Sequence, residues 1–179
     1  MTGTRSIHNL ALIGFMGTGK SVVGRVVADM LHFTFLDTDH VIEARAGKPI
    51  TDIFAQDGEP GFRQWERRIV EELTRRERTV IATGGGLPTD PANLTSLKTH
   101  ALVICLWASP ESIWERVRAH EHRPLLNDPD PLARIRELLA RREPYYRQAD
   151  VLVNTEMRSV REVAQHVLHQ FHMAHAAPR

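Results

Sequence analysis

Residues 14–21 read GFMGTGKS, with Gly14, four intervening positions and then Gly19-Lys20-Ser21. A loop of this spacing turns successive backbone N–H groups toward one point. Its lysine adds charge for outer phosphate oxygens, and its hydroxyl suits Mg²⁺. The flanks restrict the fold further. Leu10-Ala11-Leu12-Ile13 is a short continuous apolar run of the kind buried in a parallel sheet, while Val22, Val23, Val26, Val27 and Leu31 recur at helical spacing. The loop therefore joins a strand to a helix N-terminus, where the helix dipole also favours an anion. A glycine-rich turn without a ligand would leave Lys20 and Ser21 unexplained.

The same alternation continues along the chain. Strand-like runs at 10–13, 33–36, 79–82, 101–107 and 151–153 are separated by longer amphipathic stretches. This pattern predicts an α/β sandwich around a parallel sheet. Helix starts are marked: Ser109-Pro110-Glu111 offers an N-cap, a proline at the first helical position and an early acid, and Ser159 followed by Glu162 forms a capping box. At 179 residues, 42% hydrophobic and 25% charged, with no internal repeat or linker, the chain reads as one domain over 1–179.

Twenty-three Lys and Arg against 22 Asp and Glu give a net charge of +1, without a basic tract suited to nucleic acid or an anionic membrane. The single cysteine, Cys105, lies inside an apolar run and reads as a small buried hydrophobe. Residues 1–9 lack a signal-peptide core and no apolar run is long enough to span a bilayer, so a cytoplasmic location is expected. His166, His169, His172 and His175 recur every three residues. They read as a solvated helix end fraying into a flexible tail over 173–179 rather than as a metal site, and His120 and His122 also lack metal-ligand partners.

Ligands of open parallel sheets gather at the carboxyl ends of strands. There the chain places the glycine loop, then Asp37-Thr38-Asp39, then Gly84-Gly85-Gly86. Asp37 and Asp39 could divide a Mg²⁺ shell and an acceptor hydroxyl between them, or form an acidic turn capping the next helix. Three glycines remove every side chain where a substrate could approach the backbone. Arg63 and Arg142 are either carboxylate clamps or solvated arginines. Residues 120–131, HEHRPLLNDPDP, form either a closing lid carrying Arg123 or a rigid surface connection.

Taken in order, GFMGTGKS, LDTD at 36–39, GEPGFR at 58–63 with Glu66, GGG at 84–86, RPLL at 123–126 and REPYYR at 142–147 resemble shikimate kinase over about residues 8–171. The glycine loop alone is common to many nucleotide enzymes; the ordered set is specific. The resemblance implies transfer of the γ-phosphoryl group of ATP to the 3-hydroxyl of shikimate, giving shikimate 3-phosphate and ADP in aromatic amino-acid (chorismate) biosynthesis. The implied fold is a three-layer P-loop kinase sandwich with five parallel strands ordered 2-3-1-4-5. It further implies a soluble monomer. Lys20, Asp39 and Arg123 would be catalytic. ATP would be held by Gly17, Thr18, Gly19, Lys20, Ser21 and Val22 with Arg123 and Arg158, and Mg²⁺ by Ser21 with Asp37 in its outer shell. Shikimate would meet Asp39, Arg63, Gly84, Gly85, Gly86 and Arg142. The substrate-binding segment would span about 37–66 and the lid about 118–131.

Two positions depart from the family pattern. On the adenine side an Arg followed two residues later by Pro is expected, and here Arg158 is followed by Val160. Trp65 is bulky for its place and reads as a helix-packing residue. A gluconate kinase could use the same scaffold, but the paired arginines with GGG favour shikimate. A GTPase switch would carry Asn-Lys-x-Asp and Asp-x-x-Gly motifs, which are absent. A non-catalytic nucleotide-binding module would be expected to lose Lys20, Asp39 or Arg123.

Overall fold

The computed structural model describes residues 5–118 and 128–176. Five strands, β1 (Asn9–Ile13), β2 (Thr34–Asp37), β3 (Thr79–Ala82), β4 (Ala101–Trp107) and β5 (Val151–Asn154), form one sheet in the order β2-β3-β1-β4-β5. Every pairing is parallel, with Leu10 opposite Val80 and Leu102. The helices are α1 (Lys20–Leu31), α2 (Thr38–Ala46), α3 (Ile50–Leu73), α4 (Pro91–His100), α5 (Pro110–Val117), α6 (Pro131–Tyr146) and α7 (Val160–Ala176).

Strand alternation builds the layers. On β1, Leu10 and Leu12 face α1 and α7, where they pack with Val23, Val27, Val167 and Phe171. Ala11 and Ile13 face the opposite side, packing with residues of α3 to α6 such as Ile69, Leu97, Ile113 and Ile135. Central β1 is buried throughout and reads as a continuous apolar run, whereas edge strands β2 and β5 are partly exposed. Cys105 lies buried on β4, and burial pushes its thiol up to about 12, so it is an inert core residue.

The caps match the sequence signals. Ser109 accepts from the Ser112 N–H at 3.3 Å, with Pro110 at the first helical position of α5. Ser159 and Glu162 exchange bonds as a capping box, at 3.3 Å and 2.7 Å. Helix α3 is broken at Gly58, whose φ of 67° and ψ of −177° lie outside the range of residues with a side chain. Pro60 then sits where the second half needs no donor. Trp65 packs partly buried against the core, as expected of a helix-packing residue.

The C-terminal segment differs from expectation. Residues 173–176 continue helix α7 instead of forming a tail, because buried Phe171 stacks edge-on with both Phe33 and His175. Residues 177–179 lie outside the described residues. So do 119–127, which hold Arg123, His120, His122 and most of the expected lid. At the ends of that segment, Arg118 closes α5 and Asp130 caps α6 by accepting from the Ala133 N–H at 3.0 Å.

Candidate active site

Gly19 ends the glycine loop in a left-handed conformation and forms the N-cap of α1, so the first helical N–H groups face the loop. Lys20 is 8% exposed and folds back over the loop, donating from Nζ to the carbonyls of Gly14 and Phe15 at 2.8 Å each. Thr18 turns inward and its hydroxyl bonds the Phe15 carbonyl at 2.8 Å. Ser21 donates to Asp37 Oδ2 at 2.6 Å, which ties the loop to the end of β2. The other Asp37 oxygen accepts the Asp39 N–H at 3.1 Å, so Asp37 is the cap of α2 and the partner of Ser21 together.

Asp39 lies beside the glycine triplet. A Cβ on Gly84 would stand 2.5 Å from Asp39 Oδ1, so the close approach requires glycine there. That Oδ1 is buried and has no hydrogen-bond partner. Burial, with the negative charge of Asp37, raises the Asp39 carboxyl to about 6 against the opposing pull of Lys20. Tyr146, at the end of α6, fixes the triplet by donating to the Gly85 carbonyl at 2.7 Å.

Arg63 and Arg142 approach the triplet from α3 and α6. A Cβ on Gly86 would lie 2.7 Å from Arg63 Nη1, and one on Gly85 would lie 3.6 Å from Arg142 Nη1. Arg63 donates to Glu66 Oε2 at 2.6 Å. Glu66 is 1% exposed, and burial raises it to about 7 despite the arginine beside it. Its Oε1 is also without a partner. Among the described residues only three buried side-chain polar atoms lack one, and two of them belong to Asp39 and Glu66. A buried unpaired oxygen is costly enough to mark a place where a ligand supplies the missing bond.

Three adjoining cavities run across this edge of the sheet. One of about 310 Å³ is lined by Gly17, Gly19, Lys20, Ser21, Val22, Asp37, Asp39 and Gly85. A second, of about 850 Å³, shares Met16 with it and is lined by Phe54, Glu59, Arg63, Arg134, Arg141 and Arg142. The third, of about 190 Å³, holds Gly17, Thr18, Gly19, Val22, Arg116, Thr155, Arg158 and Val160. Phosphate-suited, carboxylate-suited and ring-sized spaces thus lie side by side.

Sequence reasoning passed over Arg116 and Glu156. Arg116, on α5, donates to the Gly17 carbonyl at 3.3 Å and to Thr155 at 2.9 Å, joining the glycine loop to the segment after β5. Glu156 accepts from the Ser109 N–H at 3.0 Å, from the Ser109 hydroxyl and from the Ser112 hydroxyl at 2.7 Å. The only signal for Glu156 was the paired serines of the α5 cap; Arg116 had none, since both its partners arrive by folding. Arg158 meets His166 Nδ1 at 3.2 Å.

A parallel sheet of this order, with a glycine-rich anion cradle after β1 and carboxylates after β2, defines a P-loop kinase scaffold. Residues 16–172 match the shikimate kinase family. The shikimate kinase of Caldanaerobacter subterraneus subsp. tengcongensis is 44% identical over 165 residues, covering 92% of this chain and 96% of that protein. That of Thiobacillus denitrificans is 50% identical over 153 residues, covering 85% and 84%. The solved shikimate kinase from Acinetobacter baumannii in complex with shikimate superimposes with a TM-score of 0.88 at 38% identity, covering 97% of each chain. The chain belongs to the shikimate kinase family.

Proposed function

We infer that this protein is a shikimate kinase, transferring the γ-phosphoryl group of ATP to the 3-hydroxyl of shikimate to give shikimate 3-phosphate and ADP. The observation that carries the reading is the pair Arg63 and Arg142 lining a cavity next to the glycine loop, with the unpaired Asp39 oxygen beside the triplet between them. Two forked cations suit a planar carboxylate, and a strand end without side chains admits a small ring.

The loop N–H groups of residues 17–22 and Lys20 hold the ATP phosphates. Arg116, Thr155 and Arg158 border the space for the base. The Ser21 hydroxyl would hold Mg²⁺ with Asp37, 2.6 Å from it, in the outer shell, which fits an ion that takes few protein oxygens beside phosphate and water. When bound, Mg²⁺ neutralises charge on the phosphate oxygens. Arg63 and Arg142 orient shikimate by its carboxylate. Asp39 Oδ1 accepts the proton of the attacking hydroxyl as the new O–P bond forms and the bond to the ADP leaving oxygen breaks. Arg123, in the lid, stabilises charge on the moving group.

The enzyme acts as a cytoplasmic monomer with no nucleic-acid or membrane partner. The balanced charge argues against a nucleic-acid or anionic-surface partner, and no described helix is long and apolar enough to cross a membrane. The test is ADP release with shikimate, quinate, gluconate and nucleoside monophosphates as acceptors. Shikimate is expected to turn over far faster than the others, and turnover of gluconate without shikimate would overturn the assignment.

A further inference from the structure

We infer that Glu59 occupies the place of the substrate carboxylate on Arg63, and that shikimate binds by displacing it. The inference rests on the assignment of Arg63 to the substrate's carboxylate, proposed above.

A guanidinium has two edges to which a carboxylate can bind by paired N–H groups, one of them made by Nε and one Nη and the other by the two Nη atoms. Both edges of Arg63 are engaged. The Nη1/Nη2 end abuts the backbone of Gly86, where an added Cβ would lie 2.7 Å and 2.8 Å from the two nitrogens. Nη1 is also bound to Glu66 Oε2 at 2.6 Å. The Nε/Nη2 edge is taken by one oxygen, Glu59 Oε1, at 3.2 Å and 2.8 Å. An incoming carboxylate must therefore replace a partner already present.

The two glutamates are not equally replaceable. The Glu66 side chain is 1% exposed, and separating it from Arg63 would leave a charge buried and unpaired. The Glu59 side chain is 64% exposed, stands one helical turn before Arg63, and regains water when released. It follows directly on the Gly58 break and lines the same cavity as Arg63 and Arg142. Glu59 thus holds the guanidinium in place while the cavity is empty, and Glu66 continues to hold it once Glu59 has swung into solvent.

Displacing an exposed pair weakens substrate binding slightly, so removing the pair should tighten it. This is opposite in sign to the loss of a substrate-binding or structural contact. Calorimetric titration of the whole protein with shikimate, without nucleotide, reads the effect. Glu59→Gln is expected to tighten binding about two- to fivefold. Glu59→Asp keeps the charge on the same turn but shortens its reach, and is expected to tighten binding comparably. An unchanged or weakened dissociation constant in Glu59→Gln overturns the inference. So does tightening in Glu59→Gln alone with Glu59→Asp at the parent value, which would be a general charge effect. Arg63→Ala, run alongside, separates the two levels. Normal shikimate binding in Arg63→Ala would remove the assignment of Arg63 itself, whereas strong weakening there with indifferent Glu59 variants would remove only the displacement.

Discussion

The chemistry depends most on Asp39, a carboxylate held unusually protonatable for its type. Because burial and Asp37 raise its pKa to about 6, it is a base above that pH and is silenced below it. The kcat/KM for shikimate is therefore expected to fall on the acid side near pH 6. Asp39→Asn should lose most turnover, about a hundredfold or more, while nucleotide binding stays near the parent value. A pH–rate profile and a nucleotide titration check both halves, and equal loss of ATP binding would place Asp39 at the metal instead. Asp37 and Asp39 were legible as a pair from their position after a strand. The cap that Asp37 forms on the next helix is local and was one of the two readings offered, but the pressing of Asp39 against Gly84 depends on β2 and β3 lying side by side, which no local pattern encodes.

At the scale of elements, the site stands on how the segments after the strands are anchored. Glu156 binds the turn after β5 to the paired serines at the start of α5, and Arg116 binds the same turn to the glycine loop. Where the family pattern has a proline two residues after the arginine, this chain has Val160, so these bonds carry the positioning. Glu156→Gln is expected to raise the KM for ATP about three- to tenfold, as one or two hydrogen bonds to a charged group weaken, with the KM for shikimate unchanged. Steady-state kinetics with each substrate varied checks this; equal changes in both would indicate general loosening. The strands were legible because a parallel sheet buries continuous apolar runs, and the helix starts because Ser109, Pro110, Ser159 and Glu162 act locally. The end of α7 was not, because Phe171 and His175 hold each other only once Phe33 is packed beneath them.

Across the whole molecule, the carboxyl edge of the sheet is given to ligands and the opposite edge to stability. At that opposite edge buried Asn9 accepts the Thr79 N–H at 2.9 Å and donates to the Arg76 carbonyl and to His100 Nδ1. Burial lowers the pKa of His100, with Arg5 and His8 adding to the shift. The unfolded chain then binds a proton more readily than the native one, so this group costs stability as pH falls through about 6.5 and has no effect well above it. His100→Gln is expected to flatten the loss of unfolding free energy between pH 7.5 and 5, measured by denaturant titration, relative to the parent. An unchanged slope would mean that His100 binds its proton equally well in the folded and the unfolded chain. The sheet order and the three layers were legible through the resemblance, but the meeting of α3 and α6 at the glycine triplet is a property of the assembled domain. Arg63 and Arg142 are far apart in sequence and converge only there. The most direct test of the account is therefore the kinetics of Arg142→Ala with shikimate and ATP varied in turn. A buried charged contact is worth about 2–5 kcal/mol, so the KM for shikimate should rise at least about thirtyfold while kcat falls less and the KM for ATP stays within about twofold. A normal KM for shikimate in that variant would contradict recognition of the substrate by its carboxylate.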